Sequence, residues 1–332
     1  MQCSWEFVFH DSTTQKVITY THTKSSAKMA PQLAWIGLGN MGRVYLHDSN
    51  FLETNINNRK GMCKNIVEKG DLDKPLILFN RTEKRAKDLS QTFSEGKSVV
   101  ASSIVDAVTK ADIIFTCVGN DAAINETIDS ALQADVKGKV FVECSTIHPD
   151  TSEALAKKIT SSGAEFVACP VFGAPAMADA GQLVCVLGGP KSSVQKALPY
   201  CKGVMARANI DFSDQPVSKA LQLKIIGNTF VAQMVEALAE GHVLAEKTGF
   251  GVDNLHAFIE TMFPGPYTAY SNRMISGDYY KREEPLFAVD LAIKDVGHAL
   301  NLAKTAGAKM KATKPEIIWR LFMRTATSET SS

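Results

Sequence analysis

Leu33-Ala34-Trp35-Ile36-Gly37-Leu38-Gly39-Asn40-Met41-Gly42 reads as a buried strand running directly into Gly-x-Gly-x-x-Gly and then a helix. In that setting each glycine has a physical duty. Gly37 permits the tight turn, Gly39 lets backbone N–H groups approach a pyrophosphate, and Gly42 lets the helix pack close on the strand, while the helix N-terminus supplies partial positive charge. The stretch therefore points to a dinucleotide-binding turn in which Gly37, Leu38, Gly39, Asn40, Met41 and Gly42 meet the cofactor. A plain strand-to-helix loop is the competing reading, and the apolar strand ahead of the glycines argues against it.

The surrounding chain supports a parallel sheet. Leu76-Ile77-Leu78-Phe79, Asp112 to Val118, Lys139 to Cys144, Glu165 to Cys169 and Leu183 to Gly189 read as buried strands, separated by helical patterns such as Thr151 to Ser162. Strands alternating with helices imply a doubly wound, mostly parallel α/β sheet with ligands at the carboxyl ends of the strands. After about Asp211 strand signals cease, and Gln215 to Gly249 reads as one long helix, apolar almost all round. Val252 to Thr261, Tyr267 to Ser276 and Leu286 to Thr305 follow as helices. The expected organisation is an unstructured extension over 1–29, a nucleotide-binding domain over 30–212, an all-α substrate and dimerisation domain over 213–324, and a loose tail over 325–332.

Composition bounds the function. The 332 residues carry a formal net charge of +1 and are 45% apolar and 21% charged, which argues against a nucleic-acid or membrane surface and for a small-molecule ligand. The seven cysteines are scattered singly with no Cys-x-x-Cys, so neither a metal site nor a disulfide framework is expected and the thiols read as reduced and intracellular. The expected compartment is the cytoplasm. Lys16, Lys24 and Lys28 admit a mitochondrial leader, against which Glu6, Asp11 and the absence of arginine in that segment count.

Two places carry chemistry. At the end of the second strand of such a domain a carboxylate binds a ribose 2′-OH, whereas an arginine accommodates a 2′-phosphate. Asn80-Arg81-Thr82 offers the arginine, so NADP(H) is favoured over NAD(H). Within the long helix, Gln222, Thr229, Gln233, Glu236 and Glu240 fall on one stripe, with Lys224 and Asn228 nearly opposite among apolar residues. A lysine there is costly unless paired or used, and partial burial suits it to general acid/base work, with Asn228 positioning the same substrate group. The plainer reading is a lysine snorkelling at a helix end. His242 lies farther along the helix and reads as a core or surface histidine.

These residues carry a family resemblance. Gly37 to Gly42, Glu143-Cys144-Ser145-Thr146-Ile147-His148-Pro149, Pro170-Val171-Phe172-Gly173-Ala174-Pro175, Lys224-x-x-x-Asn228 and Leu291-Ala292-Ile293-Lys294-Asp295 occur in the order found in the β-hydroxyacid dehydrogenase family, which the chain resembles over about residues 31 to 308. The resemblance implies a Rossmann-type domain followed by an all-α domain on one long central helix, and hydride transfer between a nicotinamide and a small β-hydroxy acid or its semialdehyde. It implies Lys224 as acid/base, Asn228 as its partner, Ser145 at the substrate carboxylate, Val118, Gly119 and Thr146 at the cofactor, and Lys294 closing the cleft on the nicotinamide or substrate side. A helix N-cap is the structural alternative for Ser145. The buried character of the long helix suggests a homodimer or homotetramer.

Several features depart from the family pattern. Phe172 and Ala174 replace the serine and second glycine of the usual Pro-Val-Ser-Gly-Gly, which makes a less polar carbonyl or an imine an alternative substrate, although Lys224 argues against the imine-reducing relatives. A non-catalytic NADP-binding or scaffold homologue is a further alternative, and Lys224 speaks against it too. Pro315 interrupts the last helix early. Finally, 38 positions separate Gly42 from Asn80, where about 20 are usual. Segment 44–60 holds Asn50, Asn55, Asn57 and Asn58 and accounts for the surplus; joining Arg43 to Gly61 restores one amphipathic helix, so 44–60 reads as an insertion.

Overall fold

The structure is a computed structural model that describes residues 4–11, 14–21, 30–38, 61–281, 287 and 289–313. Gly39, Asn40, Met41 and Gly42, segment 44–60 that reads as an insertion, Pro315 and residues 325–332 lie outside these. Two compact units divide the chain at Pro31.

The first unit corrects the expectation of an unstructured extension. β1 (Ser4–Asp11) and β2 (Thr14–Thr21) pair antiparallel, in register from Ser4↔Thr21 to Asp11↔Thr14. Trp5, Phe7, Val8, Val17, Ile18 and Tyr20 carry no helical period but share a preference for extended backbone.

In the second unit, β3 (Leu33–Ile36), β4 (Leu76–Phe79), β5 (Ser98–Val100), β6 (Ile113–Thr116), β7 (Val140–Glu143) and β8 (Glu165–Ala168) are parallel, in the spatial order β5-β4-β3-β6-β7-β8. β10 (Leu183–Gly189) extends the sheet antiparallel to β8 and to the short β9 (Val171–Phe172), and β11 (Ala206–Ser213) closes it parallel to β10. The sequence reading passed over β9, which is two residues long, and β11, whose charged and polar residues dilute its pattern.

Alternation along each apolar strand feeds two cores. Leu33, Trp35, Leu78, Phe115 and Val142 pack on one face against α1 (Met62–Lys69), α2 (Glu83–Gln91) and α7 (Lys191–Ala197). Ala34, Ile36, Ile77, Ile114 and Phe141 pack on the other against α3 (Ile104–Lys110), α4 (Asp121–Ala131) and α5 (Pro149–Ser161). Both faces being covered is why these strands read as continuous apolar runs. Trp35 stacks on Phe115 with ring centroids 5.6 Å apart.

After a short α6 (Pro175–Asp179), the chain reaches α8 (Ser218–Lys247), α9 (Val252–Met262), α10 (Pro266–Ser276), α11 (Asp278–Lys281) and α12 (Val289–Thr305). α8 joins the two halves. Ala220 and Leu221 in its first turn belong to the second sheet core, where the Cα of Gly188 admits the Ala220 methyl; a Cβ on Gly188 would stand 3.2 Å from it. Met234 and Leu238 farther along pack with Ile259 of α9. The helix is not buried all round: Phe230 is 70% and Leu244 64% exposed. Thr229, placed on the polar stripe by the sequence, is buried.

Candidate active site

The strand order leaves a crevice at the carboxyl ends of β3 and β6, because the chain winds outward from them in opposite directions. Gly37 stands there with φ +93°, and a Cβ on it would lie 2.3 Å from the Cys117 carbonyl oxygen. Only glycine lets the two strand ends approach so closely. The Leu38 N–H donates to Asn80 Oδ1 at 2.9 Å, and Asn80 Nδ2 donates to the Thr82 carbonyl at 3.0 Å. Asn80 thus braces the turn after β3 against the loop after β4. Arg81 and Thr82 beside it are exposed.

Next to β6, a Cβ on Gly119 would meet, among the described residues, only Leu291 Cδ2, at 4.0 Å. Gly37 with no side chain at the end of β3, the space beside Gly119 among the described residues and an exposed arginine after β4 fit a dinucleotide lying across the crevice.

Behind this edge lies a buried polar layer. Ser145 is 2% exposed; its Oγ accepts the Val118 N–H at 2.8 Å, and its own N–H donates to Glu143 Oε1, also at 2.8 Å. Burial pushes the Glu143 carboxyl up to about 7, against the opposing pull of Ser145, Thr116 and Lys294. The helix after Ser145 is capped by His148, whose ring accepts the Asp150 N–H, so the N-cap alternative for Ser145 does not hold.

The second half of the site comes from α8 and α12. Lys224, 9% exposed, donates to Asn228 Oδ1 at 2.9 Å one turn along the helix. Asn228 Nδ2 in turn donates to Asp295 Oδ2 at 2.7 Å, and Lys294 Nζ donates to Asp295 Oδ1 at 2.8 Å and to the Thr146 carbonyl. Burial lowers the Lys224 ammonium to about 8, with Asp295 pulling upward and Lys294 downward. The Phe172 ring covers Lys224, with Nζ 4.6 Å from its centroid. The same ring rests on bare backbone at Gly227, where a Cβ would stand 2.5 Å from two ring carbons.

Histidines fasten α12 to the sheet domain. His298 Nε2 lies 3.1 Å from Asp121 Oδ2, and His148 Nε2 lies 3.0 Å from Asn301 Oδ1. Burial alone would raise the Asp121 carboxyl, but hydrogen bonds from His298, Thr151 and the His148 N–H hold it below the usual carboxylate range.

The fold therefore brings Lys224, Asn228, Lys294 and the Thr146 carbonyl into one network and buries Ser145 in another beneath Val118. The sequence places Asp295 in a motif without a role, whereas the structure shows it linking both lysine neighbourhoods, and Gly227 goes unmarked. Each left a signal: Asp295 adjoins Lys294, and a glycine inside a helix, costing about 1 kcal/mol relative to alanine, suggests a close neighbour.

Sγ atoms of Cys169, Cys185 and Cys201 lie within 4.8 Å of one another in the core, a grouping that singly spaced residues conceal. His242 is a core histidine, with Nε2 2.8 Å from the buried Ser271 hydroxyl.

Comparison with known proteins gives consistent findings. Residues 60–220 match the NAD binding domain of 6-phosphogluconate dehydrogenase, and residues 219–327 match the NAD-binding domain of NADP-dependent 3-hydroxyisobutyrate dehydrogenase. The chain is 35% identical over 251 residues to the NADH-dependent oxidoreductase ucdB of Aspergillus ustus, covering 75% of this chain and 84% of that protein. In fold it resembles 3-hydroxyisobutyrate dehydrogenase of Salmonella typhimurium, with TM-score 0.71 and 19% identity over 90% of this chain and 95% of the other. The Mycobacterium tuberculosis 3-hydroxyisobutyrate dehydrogenase with L-serine gives TM-score 0.67 at 23% identity over 90% and 95%. No described helix is long and apolar enough to cross a membrane.

Proposed function

We propose that this chain, which belongs to the β-hydroxyacid dehydrogenase family, transfers hydride between NADP(H) and the hydroxyl-bearing or carbonyl carbon of a small molecule, with Lys224 as general acid/base. Small β-hydroxy acids and their semialdehydes are the reference substrates for this reading. The observation that carries it is the buried Lys224–Asn228–Asp295 network beside the crevice.

A bound nicotinamide would supply hydride donor or acceptor chemistry; the chain supplies the proton. In reduction the Lys224 ammonium donates its proton to the carbonyl oxygen as the carbon receives hydride, leaving a neutral amine and an alcohol. In oxidation the amine takes the hydroxyl proton as hydride leaves the carbon. An ammonium held near 8 populates both forms close to neutrality, which is what a group working in both directions requires. Asn228 fixes the amine by accepting from it and is itself fixed by Asp295. Lys294, anchored on Thr146, brings α12 over the crevice.

Gly37, Leu38, Gly39, Asn40, Met41, Gly42, Val118, Gly119 and Thr146 are assigned to cofactor contacts, and exposed Arg81 to the 2′-phosphate that favours NADP(H). Exposed Phe230, Leu244 and Phe250 on and after α8 support assembly into a homodimer or homotetramer. Stopped-flow absorbance of NADPH oxidation with a panel of aldehydes and ketones tests the reading: Lys224→Ala should lose turnover by about 100-fold or more while still binding NADPH. Full turnover in the variant would exclude Lys224 as acid/base.

A further inference from the structure

Phe172, Gly227 and the partly committed donors around Lys224 bear on the substrate. Lys224, Gly227 and Asn228 are spaced three and four residues apart and share one face of α8. The Phe172 ring lies on that face, held from the other side by β9, where Phe172 pairs with Val184 of β10. Its contact with Gly227 leaves no room for even a methyl group between ring and helix. The wall beside the acid/base is thus an aromatic face, and its position is fixed by two elements.

A substrate carboxylate placed there meets unfavourable chemistry. The face of a phenyl ring carries negative potential and offers no N–H or O–H donor. Desolvating a carboxylate without donors costs several kcal/mol. The described side-chain donors nearby are partly committed: one N–H of Asn228 Nδ2 goes to Asp295, Lys294 Nζ donates to Thr146 and Asp295, and the Ser145 hydroxyl is buried against Val118 and Glu143, while the Phe172 wall itself offers none. Ser145 is thereby a bracing residue under the loop after β6 rather than a presented anion ligand. Asp295, beside Asn228, is itself paired with Lys294. The wall offers a substituent apolar contact, and the Lys224 ammonium beside it serves the reacting oxygen.

We infer that the substrate is an uncharged aldehyde or ketone, with its alcohol, whose substituent beside the reacting carbon is a hydrocarbon group lying against Phe172. This rests on the oxidoreductase reading above and narrows it from hydroxy acids to neutral hydroxy compounds. The matched probes are 3-hydroxyisobutyrate and its methyl ester, which share one skeleton and differ by the charge. With NADP⁺ or NAD⁺, kcat/KM should be at least about tenfold higher for the ester. Phe172→Leu, which keeps an apolar wall, should retain that preference, and Phe172→Ser should reduce the ester-to-acid ratio by about tenfold. An acid preferred or equal in the unaltered protein overturns the inference while leaving the oxidoreductase reading intact. Calorimetric binding of methyl isobutyrate against isobutyrate in the presence of NADP⁺ reads the same preference without turnover, so a chain that binds the ester and turns over neither alcohol overturns the oxidoreductase reading alone.

Discussion

Asn228 Nδ2 lies 2.7 Å from Asp295 Oδ2, and this single hydrogen bond joins α8 to α12 directly beside Lys224. Through it the charge of Asp295 reaches two lysines, pulling Lys224 upward against burial and pairing with Lys294. Asp295→Asn removes the charge at nearly constant shape. The titration of Lys224 should then fall below about 8, and the pH profile of kcat for reduction should move to lower pH. An unchanged midpoint would show that Asp295 acts on shape alone.

The pH dependence of the unaltered protein follows from Lys224. Reduction uses the ammonium, so its rate should decline as pH rises through about 8, whereas oxidation uses the amine and should gain through the same interval. Parallel profiles in the two directions would place the acid/base elsewhere.

Arg81 stands exposed at the end of β4, where the ribose of the cofactor is read. Arg81→Ala should raise the dissociation constant of NADPH by about tenfold, the worth of one charge-assisted hydrogen bond, and leave that of NADH nearly unchanged. Fluorescence titration with both nucleotides measures this directly, and equal losses for the two would remove the 2′-phosphate role.

Ser271 is buried, with its hydroxyl 2.8 Å from both His242 Nε2 and His256 Nδ1. Ser271→Ala strands two ring nitrogens where water is scarce and should lower unfolding free energy by about 1–3 kcal/mol in urea titrations. Loss below about 0.5 kcal/mol would mean the rings find other partners.

Residues 44–60 stand between the glycine turn and α1, and the match to the nucleotide-binding family begins only at residue 60. Joining Arg43 to Gly61 by deletion should raise both thermal stability and NADPH affinity, since one continuous helix would then present its N-terminus to the pyrophosphate. Equal or weaker binding by the shortened chain would assign the segment a purpose of its own. Deleting residues 2–28 should leave cofactor affinity unchanged, by the same titration.

Much of the architecture was open to sequence reading because burial on both faces makes β3, β4, β6 and β7 continuous apolar runs, and because glycine at position 37 has one plausible use after such a run. Lys224 and Asn228 were visible by helical spacing, being four residues apart on one face. What escaped were features made by residues far apart in the chain. Val171–Phe172 is too short to show a period, yet β9 is what holds the Phe172 ring over Lys224. The eight-residue hairpin partners of the first unit show a pattern only when the period sought is two.

The sequence by itself determined the strand that ends at Gly37 and the helical face that carries Lys224 and Asn228, since both are local patterns set by backbone sterics and residue spacing. Only the tertiary structure decided which polar groups remain free to meet a substrate. Val118 and Ser145, Asn228 and Asp295, Phe172 and Gly227 are joined across 27, 67 and 55 positions of chain, and hydrogen bonds and ring contacts over such separations form only when the strands and helices have packed.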